Sequence, residues 1–533
     1  MILRRLSRSP FVASSARRWL SAAAETTKGK TRARVPHING IENVGQVLQV
    51  HQQHKREMSP HDVSACWNVL GKLVRRDRGQ REWLRDALRR GPELQPLLDT
   101  TLQKLSSFDT RPVASAAHGL ALVSHASGYA PGDAVWERLT ARAKQIVERF
   151  RPTELCSVVY AYAKARRVDP ALFDAVAKAA QSRLSEFEPA QISMLLWSYG
   201  KIGDPSRGLF KAMATQALAN LERTGAEGFR PQTLSNMLWS YAKTGNDSPE
   251  LFAAVAQAAL TNMHDFNPQE ITNTAWAYAT ARHTSPALFD AIAKAAVLKV
   301  NEFDPQGLTN TVWAFATIGH ASPELFDAVA ARAPTLFKPS HHMGAVGSMP
   351  IHSSGFRGQN YANMLWAYAK IGHSSPELLD AVADEIVNES PALLEGFNSQ
   401  TLANTVWAYA TIGHASPALF DAVAERVRVQ AHEFSPQEIT NTAWAYATIG
   451  HASPALFEAV AEASSLRLHQ FKTQNLCNLA WVRAIRDGLD PSMHIRSRPL
   501  SRSLRSFGHH LWLTWLTWLT SRRSRACLPG LPT

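Results

Sequence analysis

Residues 397–424 read FNSQTLANTVWAYATIGHASPALFDAVA, and residues 434–461 read FSPQEITNTAWAYATIGHASPALFEAVA. The second copy follows the first by 37 residues, and the same spacing recurs along the chain. Trp197, Trp239, Trp276, Trp313, Trp366, Trp407, Trp444 and Trp481 are separated by 42, 37, 37, 53, 41, 37 and 37 residues, and Tyr160 stands 37 before Trp197. Weaker copies place His118 and Trp67 at the same position, giving about nine good repeats and two degenerate ones. A fixed period of this length is the mark of a solenoid, in which each unit buries its apolar face only by stacking on its neighbours.

Each unit reads as two helices. From Phe266 onward, Asn267 can cap a helix and Pro268 suits its first turn. Ile271, Thr274, Ala275, Tyr278 and Ala279 then recur at the spacing of one buried helical face. Gly319, Gly372, Gly413 and Gly450 supply a left-handed cap that ends the first helix. Ser322-Pro323, Ser375-Pro376, Ser416-Pro417 and Ser453-Pro454 restart the chain as N-cap and first residue of the second. Leu419, Phe420, Val423, Ala424 and Val427 form the buried face of that second helix. The expected fold is all-α, a solenoid of about nine to eleven helix-turn-helix repeats of about 37 residues, with the handedness of similar solenoids.

Composition agrees with a large folded core: 533 residues, 45% hydrophobic and 19% charged. The four cysteines lack CxxC spacing, which argues against a zinc site or disulfide framework. The longest apolar run, Leu511 to Leu519, is about half of what spans a bilayer, so no membrane insertion is expected. The net charge of +13 sits at the two ends. Residues 1–40 hold nine Lys/Arg against one acid, and residues 495–533 hold seven Arg and no acid, which leaves the body near neutral. A basic, Ser-rich leader without acids before Glu25 reads as an organellar transit peptide, mitochondrial (matrix) by expectation with the plastid as the alternative.

The domains expected are a leader and basic linker over 1–40, an irregular helical cap with a degenerate repeat over 41–112, repeats over 113–333, a flexible insertion over 334–358, repeats over 359–488, and a basic tail over 489–533. The cap carries an arginine cluster, Arg75, Arg76, Arg78, Arg81, Arg85, Arg89 and Arg90. The insertion holds His341, His342 and His352, but neither it nor any other segment has the spacing of a metal site.

The unit F-x-P-Q-x-[IL]-x-N-x-x-W-[AS]-[YF]-[AG]-[KT]-x-G-x-x-S-P-x-L-F-x-A-[VI]-A resembles the octotricopeptide and heptatricopeptide repeats of organellar RNA-binding proteins. It is also similar to the helical domain named after protein 6 of the kinetoplastid RNA-editing substrate-binding complex. Pro436, Gln437, Ile439, Asn441, Trp444, Ala445, Tyr446, Ala447 and Gly450 carry the resemblance, with close copies around Trp276, Trp313 and Trp407. It extends over roughly residues 110 to 488. The resemblance implies single-stranded RNA binding in mitochondria or plastids, in transcript stability, processing, ribosomal RNA maturation or translation. It also implies RNA-processing or ribosome-assembly proteins as further partners. Two departures stand out: Ser-Pro-Ala-Leu-Phe replaces the Pro-Pro-Pro-Glu-Trp of many algal repeats, and the RAP domain of FAST-kinase-like relatives is not recognisable.

Helix-pair solenoids can read about one base per repeat with a few side chains. Counted from the tryptophan, Gln at −7, Asn at −3 and Trp at 0 form a stripe beside the apolar face. The candidate RNA contacts are Asn236, Asn273, Asn310, Asn404 and Asn441, with further copies at Asn363 and Asn478. An inter-repeat hydrogen-bond ladder is the structural alternative for these amides, and a core wedge for the tryptophans. Positions −6 (Thr233, Glu270, Gly307, Thr401 and Glu438) and −4 (Ser235, Thr272, Thr309, Ala403 and Thr440) vary between copies and are the candidates for base choice. At +4, Lys164, Lys201, Lys243 and Lys370 can reach phosphates. His320, His373, His414 and His451 fall in the inter-helix turn, where contact with the first helix's terminal carbonyls is expected.

The sequence has no Walker loop, HExxH, GxSxG or paired carboxylates. The expectation is therefore a non-enzymatic binder without cofactor, metal or small-molecule substrate. It would hold organellar RNA in its concave groove over about nine nucleotides at one base per repeat. The alternative is a protein-interaction scaffold within an organellar ribonucleoprotein.

Overall fold

The computed structural model describes residues 35–337 and 355–486. The expected leader, apart from its last few residues, lies outside the described residues, as do the interior of the insertion with its three histidines and the basic tail. Among the described residues every regular element is a helix. The chain divides into two compact units, Met1–Ala165 and Arg166–Thr533.

In the first unit the helices are α1 (Val44–His54), α2 (Pro60–Arg76), α3 (Arg78–Arg90), α4 (Gln95–Lys104), α5 (Thr110–Ser127), α6 (Asp133–Gln145) and α7 (Pro152–Lys164). Helices α2, α5 and α7 are successive first helices and pack side by side, α2 on α5 and α5 on α7. The α2–α5 contact is unusually close, because a Cβ on Gly119 would lie 2.2 Å from the Trp67 carbonyl. Trp67 is displaced by one residue from the place the repeat alignment gives it. It is seven residues after the first residue of its helix, where Trp276 is eight, so Asn68 occupies the repeat position. Trp67 instead turns inward, fully buried, and donates from Nε1 to Thr101 Oγ1 at 2.9 Å. Part of the arginine cluster is structural: Arg81 and Arg85 donate to the carbonyls of Val74 and Ala126.

The second unit alternates first and second helices. The first helices are α9 (Pro189–Ile202), α11 (Pro231–Thr244), α13 (Pro268–Ala281), α15 (Pro305–Ile318), α17 (Gly358–Ile371), α20 (Ser399–Ile412), α22 (Pro436–Ile449) and α24 (Thr473–Arg486). The second helices are α8 (Pro170–Gln181), α10 (Arg207–Thr224), α12 (Pro249–Asn262), α14 (Pro286–Leu298), α16 (Pro323–Arg332), α18 (Pro376–Asp384) followed by the short α19 (Pro391–Glu395), α21 (Pro417–Gln430) and α23 (Pro454–Ser465). Each first helix packs along the next first helix, and second helices pack on second helices, so the unit is a two-layered α-solenoid. At the edges of the insertion, Phe337 and Phe356 are buried against one another and against Tyr361.

The caps follow the sequence in one helix type and depart from it in the other. Asn267 accepts from the Glu270 N–H while Glu270 accepts from the Asn267 N–H, a closed capping box, and Ser435 with Glu438 repeats it. Ser322, Ser375, Ser416 and Ser453 stand at the N-cap of the second helices, yet their hydroxyls do not cap. Their ψ of 82–85° differs from the 168° of Asn267 and turns the hydroxyl away from the first turn. Gly319, Gly372, Gly413 and Gly450 take φ of 73–80° as the left-handed caps expected, and Arg282 adopts φ 60° in the equivalent place.

Register between repeats is fixed by the tyrosine two residues after the tryptophan. Tyr199, Tyr241, Tyr278, Tyr368, Tyr409 and Tyr446 are fully buried, and each donates at 2.6 Å to a carbonyl in the preceding second helix. The acceptors are Phe173, Phe210, Phe252, Phe326, Leu379 and Phe420. Five of these acceptors also meet the tyrosine ring edge-on at 4.9–5.2 Å between centroids. Burial pushes the phenols of Tyr241, Tyr278, Tyr368, Tyr409 and Tyr446 well above their usual range, so they remain donors. Lys299, Arg332, Arg426 and Arg467, toward the ends of second helices, donate to carbonyls of the segment that joins the preceding second helix to their own first helix, and so brace the outer layer.

The repeat of α15 lacks this bond, since Phe315 replaces the tyrosine while its ring still meets Phe289 edge-on at 4.9 Å. Tyr278→Phe is expected to lower unfolding stability by about 1–2 kcal/mol, because it removes a buried hydrogen bond. Phe315→Tyr, which supplies the missing donor, is expected to raise it by roughly 1 kcal/mol or less. Denaturant melts of the two variants check both signs.

Candidate functional site

A first helix has one face toward its second helix and two flanks on neighbouring first helices, which leaves a single stripe open. Residues at −7, −3, 0 and +4 lie on it, one above the other, at helical spacing. In α13 these are Gln269, Asn273, Trp276 and Thr280, of which the outer two are exposed and the inner two half-buried. The same pattern holds for Gln232, Asn236, Trp239 and Lys243 in α11, and for Gln306, Asn310, Trp313 and Thr317 in α15. It recurs for Gln359, Asn363, Trp366 and Lys370 in α17, and for Gln400, Asn404, Trp407 and Thr411 in α20. Asn441 and Trp444 continue the rows in α22.

The hydrogen bonding of the inner pair decides what this stripe can do. Among the described residues, the side chains of Asn236, Asn273, Asn310, Asn363, Asn404 and Asn441 make no hydrogen bond with the protein, so the inter-repeat ladder is not formed. The indole N–H groups of Trp239, Trp276, Trp313, Trp366, Trp407 and Trp444 likewise have no protein acceptor. A repeated amide and a repeated indole, both half-buried and without protein partners, form a ready set of donors, acceptors and ring faces. The tryptophans also pack. A Cβ on Gly200 would come within 3.1 Å of the Trp239 ring, and Trp444 stacks on Trp481 with centroids 6.5 Å apart and planes 27° apart. The Trp239 indole thus lies against the preceding first helix, at Gly200.

The lysines fall into two groups. Lys201, Lys243 and Lys370 are exposed in the last turns of their helices. Lys164 is half-buried in α7 and has a contact of its own. Position −6 proves to be the third residue of the helix and belongs to its cap. The carboxylates of Glu270 and Glu438 close capping boxes at 2.8 and 2.7 Å. Thr401 is buried and donates to the capping Asn398 at 2.8 Å, and Thr233 is buried. The sequence signal for this was available, since N-x-x-E and S-x-x-E before an apolar run are capping-box patterns.

The turn histidines do not use their rings on the terminal carbonyls. Their backbone N–H groups do so, as when His414 donates to the Tyr409 carbonyl at 3.0 Å. Their Nε2 atoms meet a carboxylate of the preceding second helix: His320 with Asp290, His373 with Asp327, His414 with Asp380 and His451 with Asp421, at 2.8–2.9 Å. The contact does not need the tyrosine bond, since His320 meets Asp290 at 2.9 Å in the repeat where Phe315 stands in place of the tyrosine. Among the described residues no group of three or more His, Cys, Asp or Glu could hold a metal ion. Nor is any described helix long and apolar enough to cross a membrane.

The profile of the RNA-editing substrate-binding complex 6 protein family matches residues 99–344 and 352–487. The chain belongs to this family. The two matched segments flank the interior of the insertion and take in α5, α7 and all the first helices of the second unit. No curated protein matches the chain. Among solved structures, a homology model of the full-length AP-3 complex in an intermediate open conformation is similar at 11% identity and a TM-score of 0.34, over 97% of each chain. A TM-score that low carries nothing about function.

If the asparagines serve a ligand and not the fold, removing them leaves stability intact. Asn273→Ala, Asn310→Ala and Asn441→Ala are each expected to shift unfolding stability by no more than about 0.5 kcal/mol. Thermal or denaturant melts of the three variants test this, and a loss of a few kcal/mol at each site would return the amides to a structural role.

Proposed function

We propose that this member of the family is a non-enzymatic binder of single-stranded RNA that acts in organellar, mitochondrial RNA metabolism. The observation carrying this reading is the row of half-buried amides and indoles on successive first helices, whose polar atoms have no protein partner. Single-stranded RNA presents unstacked base faces and edges at a regular repeat, and amide and indole groups match them in kind. The family's name supplies a second support, since its proteins are described by an RNA-editing substrate-binding complex. The basic, Ser-rich leader supports the organellar address.

On this reading the recurrent Asn and Trp hold RNA without choosing its bases, because identical side chains cannot discriminate. With Glu270 and Glu438 engaged in caps, base preference falls to small differences in stripe composition, and sequence specificity is weak. Lys201, Lys243 and Lys370 supply phosphate contacts at the ends of three first helices. The protein would act by occupying RNA, shielding it or presenting it to partner proteins.

Equilibrium binding of the purified chain to single-stranded oligoribonucleotides tests the proposal. Changing Lys201, Lys243 and Lys370 together to Glu is expected to weaken binding by roughly tenfold or more at low salt and to flatten its salt dependence. Equal binding by wild type and the triple variant would contradict the assignment of these lysines. Failure of the wild type to retain any single strand, with tight retention of a polypeptide, would favour the scaffold reading.

A further inference from the structure

The first unit carries a cleft on the same stripe, where the tryptophans are missing. It crosses α2, α5 and α7 and encloses about 380 Å³, with Asn68, Arg111, Ser115, His118, Arg151 and Ser157 among its lining. Asn68, His118 and Tyr160 occupy the place that tryptophan takes in the later repeats. His118 stacks on Tyr160 with centroids 5.4 Å apart and planes 25° apart. A smaller aromatic row leaves a hollow where tryptophans would fill the surface. A neighbouring cavity of about 560 Å³ shares Asn68, Arg111 and Ser115, so Arg111 stands between two spaces each large enough for a nucleotide.

Two features indicate what this cleft takes. The first is charge. Arg111 and Arg151 line it, and Lys72 and Arg75 lie near enough to weigh on the His118 ring. None of these four cations has a salt bridge among the described residues. The one carboxylate in the lining, Glu154, accepts from the Arg151 backbone N–H at 2.9 Å and so serves the helix cap. The second is an orphan atom. His118 Nδ1 is buried and has no hydrogen-bond partner. Leaving such a group unpaired is costly unless a ligand or water completes it. Burial, and then Arg75 and Lys72, hold the imidazole below its usual range, so the ring is neutral and offers one N–H and one lone pair.

We infer that this cleft is a nucleotide-binding site, which takes a phosphate group at Arg111 and Arg151 and a hydrogen bond from the nucleotide at His118. This deepens the RNA-binding reading by giving the first unit a phosphate-centred site distinct in chemistry from the amide and indole rows. The phosphate can be a terminal monophosphate or an internal phosphodiester of the same strand, and the two are separable by experiment.

The test uses the full chain with three probes: AMP, a short single-stranded oligoribonucleotide with a 5′ phosphate, and the same strand with a 5′ hydroxyl. The variants are Arg111→Glu with Arg151→Glu, both on exposed side chains, and His118→Phe, which keeps a ring but removes the orphan atom. The double variant is expected to lose roughly tenfold or more in affinity for AMP or for an oligonucleotide. His118→Phe is expected to weaken the same binding while its thermal midpoint holds or rises, where a structural role would lower it. A loss confined to the 5′-phosphorylated strand assigns the site to a terminal phosphate, and an equal loss on both strands assigns it to an internal one. Oligonucleotides bound equally by wild type and both variants, with no AMP binding, would overturn the inference and leave the second unit's rows standing. AMP bound through Arg111 and Arg151 by a chain that ignores oligonucleotides would keep the cleft and remove the RNA reading. Binding of neither probe would remove both.

Discussion

The bond from each buried tyrosine hydroxyl to a carbonyl of the preceding second helix is the constraint on which the rest depends. Helix pairs with alanine-rich flanks can slide along one another at little cost in contact area, because small residues offer no deep knobs. A 2.6 Å bond between groups with no access to water removes that freedom, since a slip would leave a buried hydroxyl donor unsatisfied. Six such bonds in the second unit set the offset from one repeat to the next. The basic braces on the outer layer follow from the same offset. So does the alignment of the asparagine and tryptophan rows, and a ligand with a regular repeat depends on that alignment.

Polar groups in this solenoid divide according to whether the stack satisfies them. Tyrosine hydroxyls, turn histidines, capping carboxylates and the terminal lysines and arginines of second helices all find protein partners. The amide at −3 and the indole at 0 do not, although they recur as faithfully. The amide and the indole N–H are therefore the repeated polar groups left open to a ligand, while the indole rings also pack on the stack. This division separates ligand candidates from structural ones more sharply than repetition does, because both classes repeat.

Much of this was legible in the residues, and the exceptions have physical causes. The period, the two helices per unit, the glycine caps and the buried faces follow from spacing, since periodicity of apolar residues reports burial directly. Tyr278 could be placed on the buried face, but the acceptor of its hydroxyl is 26 residues away and spacing says nothing about it. Spacing places Trp67 one residue off because a tryptophan is a conspicuous marker, whereas the structural equivalent, Asn68, carries no such signal. The serines before Pro323 and Pro417 matched a capping pattern, yet the tight turn after the glycine imposes a ψ near 84° that withdraws the hydroxyl. His118 was recognised only as a weak copy of the repeat, and its unpaired Nδ1 became visible only with the neighbouring helices in place.

The account comes down to whether RNA lies along the open stripe of the first helices. Ultraviolet crosslinking of the full chain to single-stranded RNA, with the crosslinked residues mapped by mass spectrometry, asks this most directly. Crosslinks should fall on the first helices of the second unit, centred on Trp239, Trp276, Trp313, Trp366 and Trp407 and their neighbouring asparagines. Crosslinks confined to second helices such as Pro286–Leu298 and Pro417–Gln430, or to the basic ends of the chain, would contradict it.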